Sequence, residues 1–549
     1  MWINNHAFEE DFEIMRKHTL AKTAAGFAAF VGLVLVFAAC GEKAEAAKGA
    51  APKIVNIGIT NDPSTVNPVV VNNTVAREIV RLLYMPLTAV NENLGFTPKV
   101  AQSITTTDNK VFTVKIDQRI KWSDGKPVSA DDVVFSFNAY THPNTGTHEP
   151  STFNLIVGTS EAGLRENAAE LAGVKKLDDY TLTVEVKYPV TLDIFNLNLG
   201  SLWTMPKHIL ENEPVENLKK SPLLQNPKVT NGPFLFKEYV AASHLSLEAN
   251  KDYYLGRPIL EAINFKILGG AQITAQLESG EIDMNFPLVG NIPSDDYQRI
   301  RSVPHLRTSQ GVPNNIQVLF INNKVINNLK VRQAMDLAID REGILKNILK
   351  GEGYISKTPV TNRIQYWNEA AAKWTYDPDA ARKLVDESGW DKSKKIVFAL
   401  PAGNATREKV GTILVESFNA IGLNVVIEKA DFATTLRKVQ HCEYDLSIIG
   451  VPDVPFNIIR YVRVYVGTKY TWTNYSKPEG DKLVDTIMTS VDAAVLKDTY
   501  YKLQQLIADE VPVAGIYSEL ALRAVNKRVK YGELKEYGAF LDVEKWDVE

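Results

Sequence analysis

The chain has 549 residues, with 61 Lys and Arg against 65 Asp and Glu for a net charge of −4, and hydrophobic residues make up 45% of it. That length corresponds to about three or four ordinary domains. The apolar share excludes disorder as the main state, and the lack of a basic excess excludes a nucleic-acid binder. Two cysteines, Cys40 and Cys442, build neither a disulfide framework nor a zinc or iron–sulfur site.

Residues 27–39, FAAFVGLVLVFAA, form an uncharged apolar run behind Arg16, Lys17 and Lys22. A positive stretch followed by a short apolar one is the pattern of a secretory signal, and a spanning helix needs about 20 apolar residues. The run ends at Phe37-Ala38-Ala39-Cys40, which resembles the lipobox of bacterial lipoproteins. The resemblance implies cleavage before Cys40 and lipidation of it, which anchors a chain to a membrane. A plain signal peptide or a retained anchor helix is the alternative. Residues 1–14 hold four acids and no Lys or Arg, so Met15 is the expected start. Residues 40–53 then read as the lipidated cysteine and a flexible tether.

Strand and helix signals alternate through the rest. Strands are expected at Ile54–Ile59, Val111–Ile116, Thr181–Val186, His244–Glu248, Ala262–Ile267, Ile316–Ile321, Lys395–Leu400, Asn424–Lys429, Tyr444–Ile449 and Val513–Tyr517. Helices are expected at Thr74–Tyr84, 130–140, Gln272–Glu278, Lys330–Ile348, Pro378–Ser388, Arg407–Ile421 and Ala493–Glu510. Ser129 before Ala130-Asp131-Asp132 marks a helix start with acids in the first turn, and Gly389 marks a helix end. The alternation is that of an α/β protein with mixed sheets. No phosphate-binding glycine loop, metalloprotease motif or nucleophile elbow occurs. The paired acids Asp131-Asp132 and Asp481 with Asp485 read as solvated helix faces. Cys442 reads as a buried apolar residue.

Residues 112–137, FTVKIDQRIKWSDGKPVSADDVVFSF, resemble the family 5 extracellular solute-binding proteins of ABC importers, the group typified by the dipeptide- and oligopeptide-binding proteins. Further stretches are similar in order: Pro63–Pro68 (with Asn67 where the family usually has Asp), Asn231–Phe234, Glu248–Tyr254, Gln276–Asp283, Val331–Ala334 with Ala338–Arg341, and Tyr376–Gly389. Together they span about 54–535. Most read as scaffold. Asp124-Gly125 is a tight turn, Pro233 and Pro378 fix turns or helix starts, and Arg332, Asp340 and Arg341 pair within or beside their helix.

The resemblance implies a two-lobed α/β fold of the periplasmic-binding-protein type II, in its large variant with an extra N-terminal subdomain and two crossover hinges. Lobe I would be 54–305 with the return 508–549, the extra subdomain about 90–230, and lobe II 306–507. The implied function is capture of a peptide in the interlobe cleft by hinge closure and delivery to ABC permease subunits with a cytoplasmic ATPase. Nickel chelate, haem, oligosaccharide or another solute is the alternative cargo, and an orphan receptor lipoprotein that signals without transport is the alternative role. The resemblance implies no catalysis, no cofactor, no nucleic acid, and a monomer held outside the cytoplasm, periplasmic or at the cell surface, through Cys40.

By the same resemblance Asp453 pairs with a peptide's α-ammonium, with Val451 where the family has Trp. Asn72, Asn73 and Thr74 meet the ligand backbone from lobe I, or equally form a helix cap. Trp472 and Tyr475 wall a side-chain pocket, or belong to the core. Arg437 or Arg460 receives a ligand carboxylate, and the sequence does not choose between them.

Overall fold

Short β-branched and aromatic runs bounded by Gly, Pro, Asn and Asp make the strands. The computed structural model describes residues 52–549 except 167–169, 288, 314, 453–457, 469–470 and 536, and leaves aside the side chains of 458, 460 and 461. The expected signal segment 1–39, Cys40 and most of the expected tether lie outside the described residues. In chain order the strands are β1 (Ile54–Ile59), β2 (Thr88–Val90), β3 (Phe96–Pro98), β4 (Ala101–Thr106), β5 (Val111–Ile116), β6 (Val174–Asp178), β7 (Thr181–Glu185), β8 (Phe234–Val240), β9 (His244–Ala249) and β10 (Ala262–Ile267). They continue with β11 (Met284–Asn285), β12 (Leu306–Gln310), β13 (Asn315–Ile321), β14 (Gly353–Ile355), β15 (Lys395–Pro401), β16 (Asn424–Ala430), β17 (Leu446–Pro452), β18 (Val513–Glu519) and β19 (Leu522–Asn526).

A seven-stranded sheet in the order β12-β19-β11-β1-β10-β9-β8 organises the first lobe, and a six-stranded sheet, β14-β18-β13-β17-β15-β16, the second. A four-stranded sheet, β4-β5-β7-β6, and the hairpin β2–β3 belong with the first. Phe112 and Val184 of the small sheet are buried in one cluster with Val55 and Ile57 of the large one, so the extra layers share the first lobe's core. The second sheet has two buried faces. Leu319, Leu446 and Ile448 pack under helix Ala405–Ala420, and Val318, Phe320 and Ile449 under helices Ile458–Val466 and Ala493–Glu510.

β12 pairs in the first sheet and β18 in the second, so the chain passes from one sheet to the other after Gln310 and returns after Glu519. The two crossovers touch: Gly311 N donates to the Ala521 carbonyl at 2.9 Å. The expected single helix over 330–348 is broken. Its first part is Leu329–Leu337, and the chain turns at Asp340, whose carboxylate caps the next turn by accepting from Gly343 N at 2.8 Å. The break lets the buried Arg341 reach the Asp336 carboxylate and donate to the Gly515 carbonyl on β18 at 2.9 Å.

The family-like motifs are joints. Asp132 accepts from Ser129 N (2.9 Å), Lys207 N (2.9 Å) and Trp122 Nε1 (3.3 Å), holding helix Ala130–Thr141 to two distant segments. Asn67 is fully buried and uses both halves of its amide, donating Nδ2 to the Leu218 carbonyl at 2.8 Å and accepting from Val69 N at 3.0 Å. An Asp there would lack that donor. Asp283 accepts from Asn56 N at 2.8 Å and pairs with Arg528 at 2.5 Å, riveting the C-terminal return to β1. Gly232 packs so tightly that a Cβ would lie 2.1 Å from the Leu82 carbonyl oxygen.

Candidate ligand-binding cleft

In open α/β sheets, ligands gather outside the carboxyl ends of the strands. In the second sheet the carboxyl ends of β15, β17 and β18 and the amino end of β13 share one edge, because β13 runs antiparallel to β17 and β18 and β15 parallel to β17. In the first sheet the carboxyl ends of β1, β10 and β11 meet the amino end of β19. The crossovers join these two edges, so the edges face each other.

Polar groups collect on the second lobe's edge. Gln317 and Asn315 lie over Gly450, where a Cβ would come within 2.9 Å of both amides. Gln317 Oε1 accepts from Arg407 Nε at 3.0 Å. Arg407 opens helix Ala405–Ala420, lies over the Phe432 ring at 5.3 Å, and has its guanidinium pKa pulled down by burial. Tyr517, across from Gln317 on β18, is buried with its hydroxyl unpartnered, and burial pushes that hydroxyl's pKa up.

On the first lobe, Asp62 follows β1. Burial alone would raise its carboxyl, but hydrogen bonds from Tyr239, Ala242 N (2.8 Å) and Ser64 N (2.7 Å) hold it below the usual range. Asn73 caps helix Thr74–Leu83: its Oδ1 accepts from Ala76 N at 2.9 Å and its Nδ2 donates to the Pro63 carbonyl at 3.2 Å. That side chain is therefore engaged locally, while Asn72 and Thr74 beside it are exposed.

The hinge is braced on one side by a clamp between the lobes. Arg301 pairs with Glu352 through two hydrogen bonds, at 2.5 and 3.0 Å, and Gln310 donates to the same carboxylate at 2.8 Å. The Arg301 hydrogen bonds hold the Glu352 carboxyl below its ordinary range. Tyr297 Oη bridges the second crossover, donating to the Leu520 carbonyl and accepting from Leu522 N, each at 3.3 Å.

A cavity of about 460 Å³ opens between the lobes. The tip of the β2–β3 hairpin at Asn93–Gly95 and the segment around Asp193 and Ile194 wall it from the first lobe, and Arg363–Tyr366, Ile459 and Met488 wall it from the second. Its size is that of a small-ligand site.

The expected site residues do not all meet there. Trp472 and Tyr475 lie at the opposite edge of the second sheet. The Trp472 carbonyl accepts from Tyr444 Oη at 2.6 Å, just before β17 begins, and Asn323 N, just after β13 ends, donates to the Thr473 carbonyl at 2.7 Å. Tyr475 is only 3% exposed and belongs to the core, and the partly buried Trp472 packs on Phe320 with ring centroids 5.9 Å apart. Arg437 is in the last turn of helix Phe432–Gln440 on that same far side, exposed and 3.4 Å from Glu443. Asp453 and the Arg460 side chain lie outside the described residues. Arg363 and Arg407 were missed. Neither belongs to a recognisable motif, and only the strand order shows which edge of the sheet each adjoins.

A family model for bacterial extracellular solute-binding proteins, family 5, matches residues 95–470. The oligopeptide-binding protein AppA of Bacillus subtilis is 27% identical over 523 residues, covering 89% of this chain and 90% of that protein. Among solved structures, the substrate-binding protein CtaP of Listeria monocytogenes superposes with a TM-score of 0.78 at 24% identity, over 90% of this chain and 99% of that one. AppA in complex with a nonapeptide superposes with a TM-score of 0.72 at 23% identity, over 91% and 100%. Two sheets joined by paired crossovers around a cavity, with the family's motifs in order, place this chain among the family 5 bacterial extracellular solute-binding proteins.

Proposed function

We propose that the chain is the substrate-binding lipoprotein of an ABC importer, which captures peptides between its lobes by hinge closure and hands them to membrane permease subunits served by a cytoplasmic ATPase. The observation that carries this is the cavity walled by both lobes, which closure about the paired crossovers would seal. The names of the relatives support peptides as the cargo. So does the wall chemistry, mostly apolar with few charges, which tolerates varied side chains. Asp453, directly beyond β17, is the proposed anchor for a peptide's α-ammonium, with Asn72 and Thr74 as polar neighbours on the first lobe. No helix among the described residues is long and apolar enough to cross a membrane. Attachment through lipidated Cys40, with the chain acting as a monomer outside the cytoplasm, is part of the same proposal.

Native mass spectrometry of the freshly purified chain 51–549, never refolded, tests the cargo. Adducts spread over many peptide masses, lost in Asp453→Ala, are expected. A single discrete non-peptide mass, indifferent to that substitution, would overturn the peptide reading in favour of one dedicated solute.

A further inference from the structure

The chain enters the fold at the edge of the first lobe that lies away from the cleft. The carboxyl ends of β1 and β10 face the cleft, so their amino ends, at Ile54 and Ala262, stand at the opposite edge. Lys53, just before β1, is tied down there. Its carbonyl accepts from Glu261 N at 2.7 Å, and its Nζ pairs with Asp547 at 2.6 Å.

Around that point large apolar side chains face water. Leu255 and Ile259, on the loop between β9 and β10, are each 45% exposed, and Tyr531 is 50% exposed. Ile259 N donates to the Glu544 carbonyl at 3.1 Å, and Tyr531 is the strand partner of Asp547, so all three residues stand on segments tied to Lys53. The loop holds its tips outward: Tyr253 and Leu260 are buried on either side of them, and Gly256, at φ +105°, makes the turn. Charge does not account for the patch. Lys251 and Arg257 on the loop are balanced by Asp252 and Glu261, and Lys530 pairs with Glu549 at 2.5 Å.

A lone exposed apolar side chain is ordinary on a folded surface. Three gathered where a lipid leash would attach have a partner within reach, because the chain from Cys40 to Pro52 spans at most about 40 Å. On so short a leash docking is intramolecular, and a contact too weak to recruit a free protein suffices. Leu and Ile gain by leaving water, and tyrosine favours the headgroup level of a membrane.

We propose that Leu255, Ile259 and Tyr531 dock the first lobe on the bilayer that holds the lipid of Cys40. The inference rests on the lipoprotein reading above. It adds a loading posture: the edge bearing the patch lies on the membrane, while the cleft edge, at the other ends of β1 and β10, faces away and meets arriving cargo. Delivery to a permease then requires the lobe to leave the bilayer.

The test uses the full chain extracted from bacterial membranes, carrying Cys442→Ser so that one introduced thiol takes a fluorophore. The label is placed on Arg257→Cys or, at the cleft edge, on Val240→Cys, a position equally exposed at 45%. Each is followed in phosphatidylethanolamine–phosphatidylglycerol vesicles that contain a headgroup spin-labelled lipid. Strong quenching at 257 and little at 240 is expected, at low and high salt alike. Leu255→Ser together with Ile259→Ser, both exposed side chains, is expected to lower the ratio of docked to free lobes about tenfold. Equal quenching at 257 and 240, or no change in the double variant, would overturn the docking surface while leaving the chain a lipoprotein. Shielding at 257 that grows with protein density and is not quenched by the lipid would overturn it in favour of a second copy. An intact mass without lipid on Cys40 would overturn the lipoprotein reading, and this inference with it.

Discussion

Asp132 shows how much one side chain of a motif carries. Its two oxygens take two backbone N–H groups and an indole N–H, all within a buried joint. Truncation leaves those donors without water or partner, and each buried orphan costs about 1–3 kcal/mol. Asp132→Ala is therefore expected to lower unfolding stability by about 3 kcal/mol or more, read as a shift in the denaturant midpoint with unchanged slope. A loss below about 1 kcal/mol would mean that the joint is solvated. Asp132, Asn67, Asp283 and Arg341 are recognisable in sequence because each must satisfy several backbone groups or partners at once.

At the scale of elements, the hinge clamp has a pH signature. A carboxyl depressed in the folded state contributes stability above its unfolded value, about 4.3 for Glu, and loses it as pH falls through the lower folded value. The Glu352 carboxyl is depressed by Arg301. Glu352→Gln is thus expected to melt below the wild type at pH 7, with the gap constant down to about pH 5 and shrinking below pH 4. A gap that does not narrow in acid would remove the ion pair from the clamp. Strands buried on one face, such as β5 and β10, are legible from their alternation, and β13 and β15, buried on both faces, from their apolar runs. The helix over 330–348 was misread because its apolar spacing continues through Ala338-Ile339. Only the cap at Asp340 and the contact of Arg341 with the distant Gly515 carbonyl show that it stops. The sequence leaves Trp472 and Tyr475 open between pocket wall and core because local sequence does not say which edge of a sheet a loop adjoins. That depends on strand direction, which is set by partners far away in the chain.

The whole molecule depends on its last segment. β19 lies between β12 and β11, Asn285 Oδ1 accepts from Ala524 N at 2.9 Å, and Arg528 neutralises the buried Asp283. A chain ending at Glu519 keeps every strand of the second sheet and loses the strand that closes the first. Hydrogen exchange of that truncated chain is expected to retain slow amides in β13, β15 and β17 and to lose them in β1, β10 and β11. Equal protection in both sheets would show that the return segment only decorates the first lobe.

The position of β19 also sets an order in time. A polypeptide is made from its N-terminus, and by Gln310 a nascent chain has every strand of the first sheet but one. The missing one belongs between β12 and β11, so these two wait apart while the entire second lobe is made. The lobe that begins first is therefore finished last, although every described residue that lines the cavity between the lobes has been made by Tyr500. A chain that stops before β19 carries a complete second sheet beside an unfinished first one.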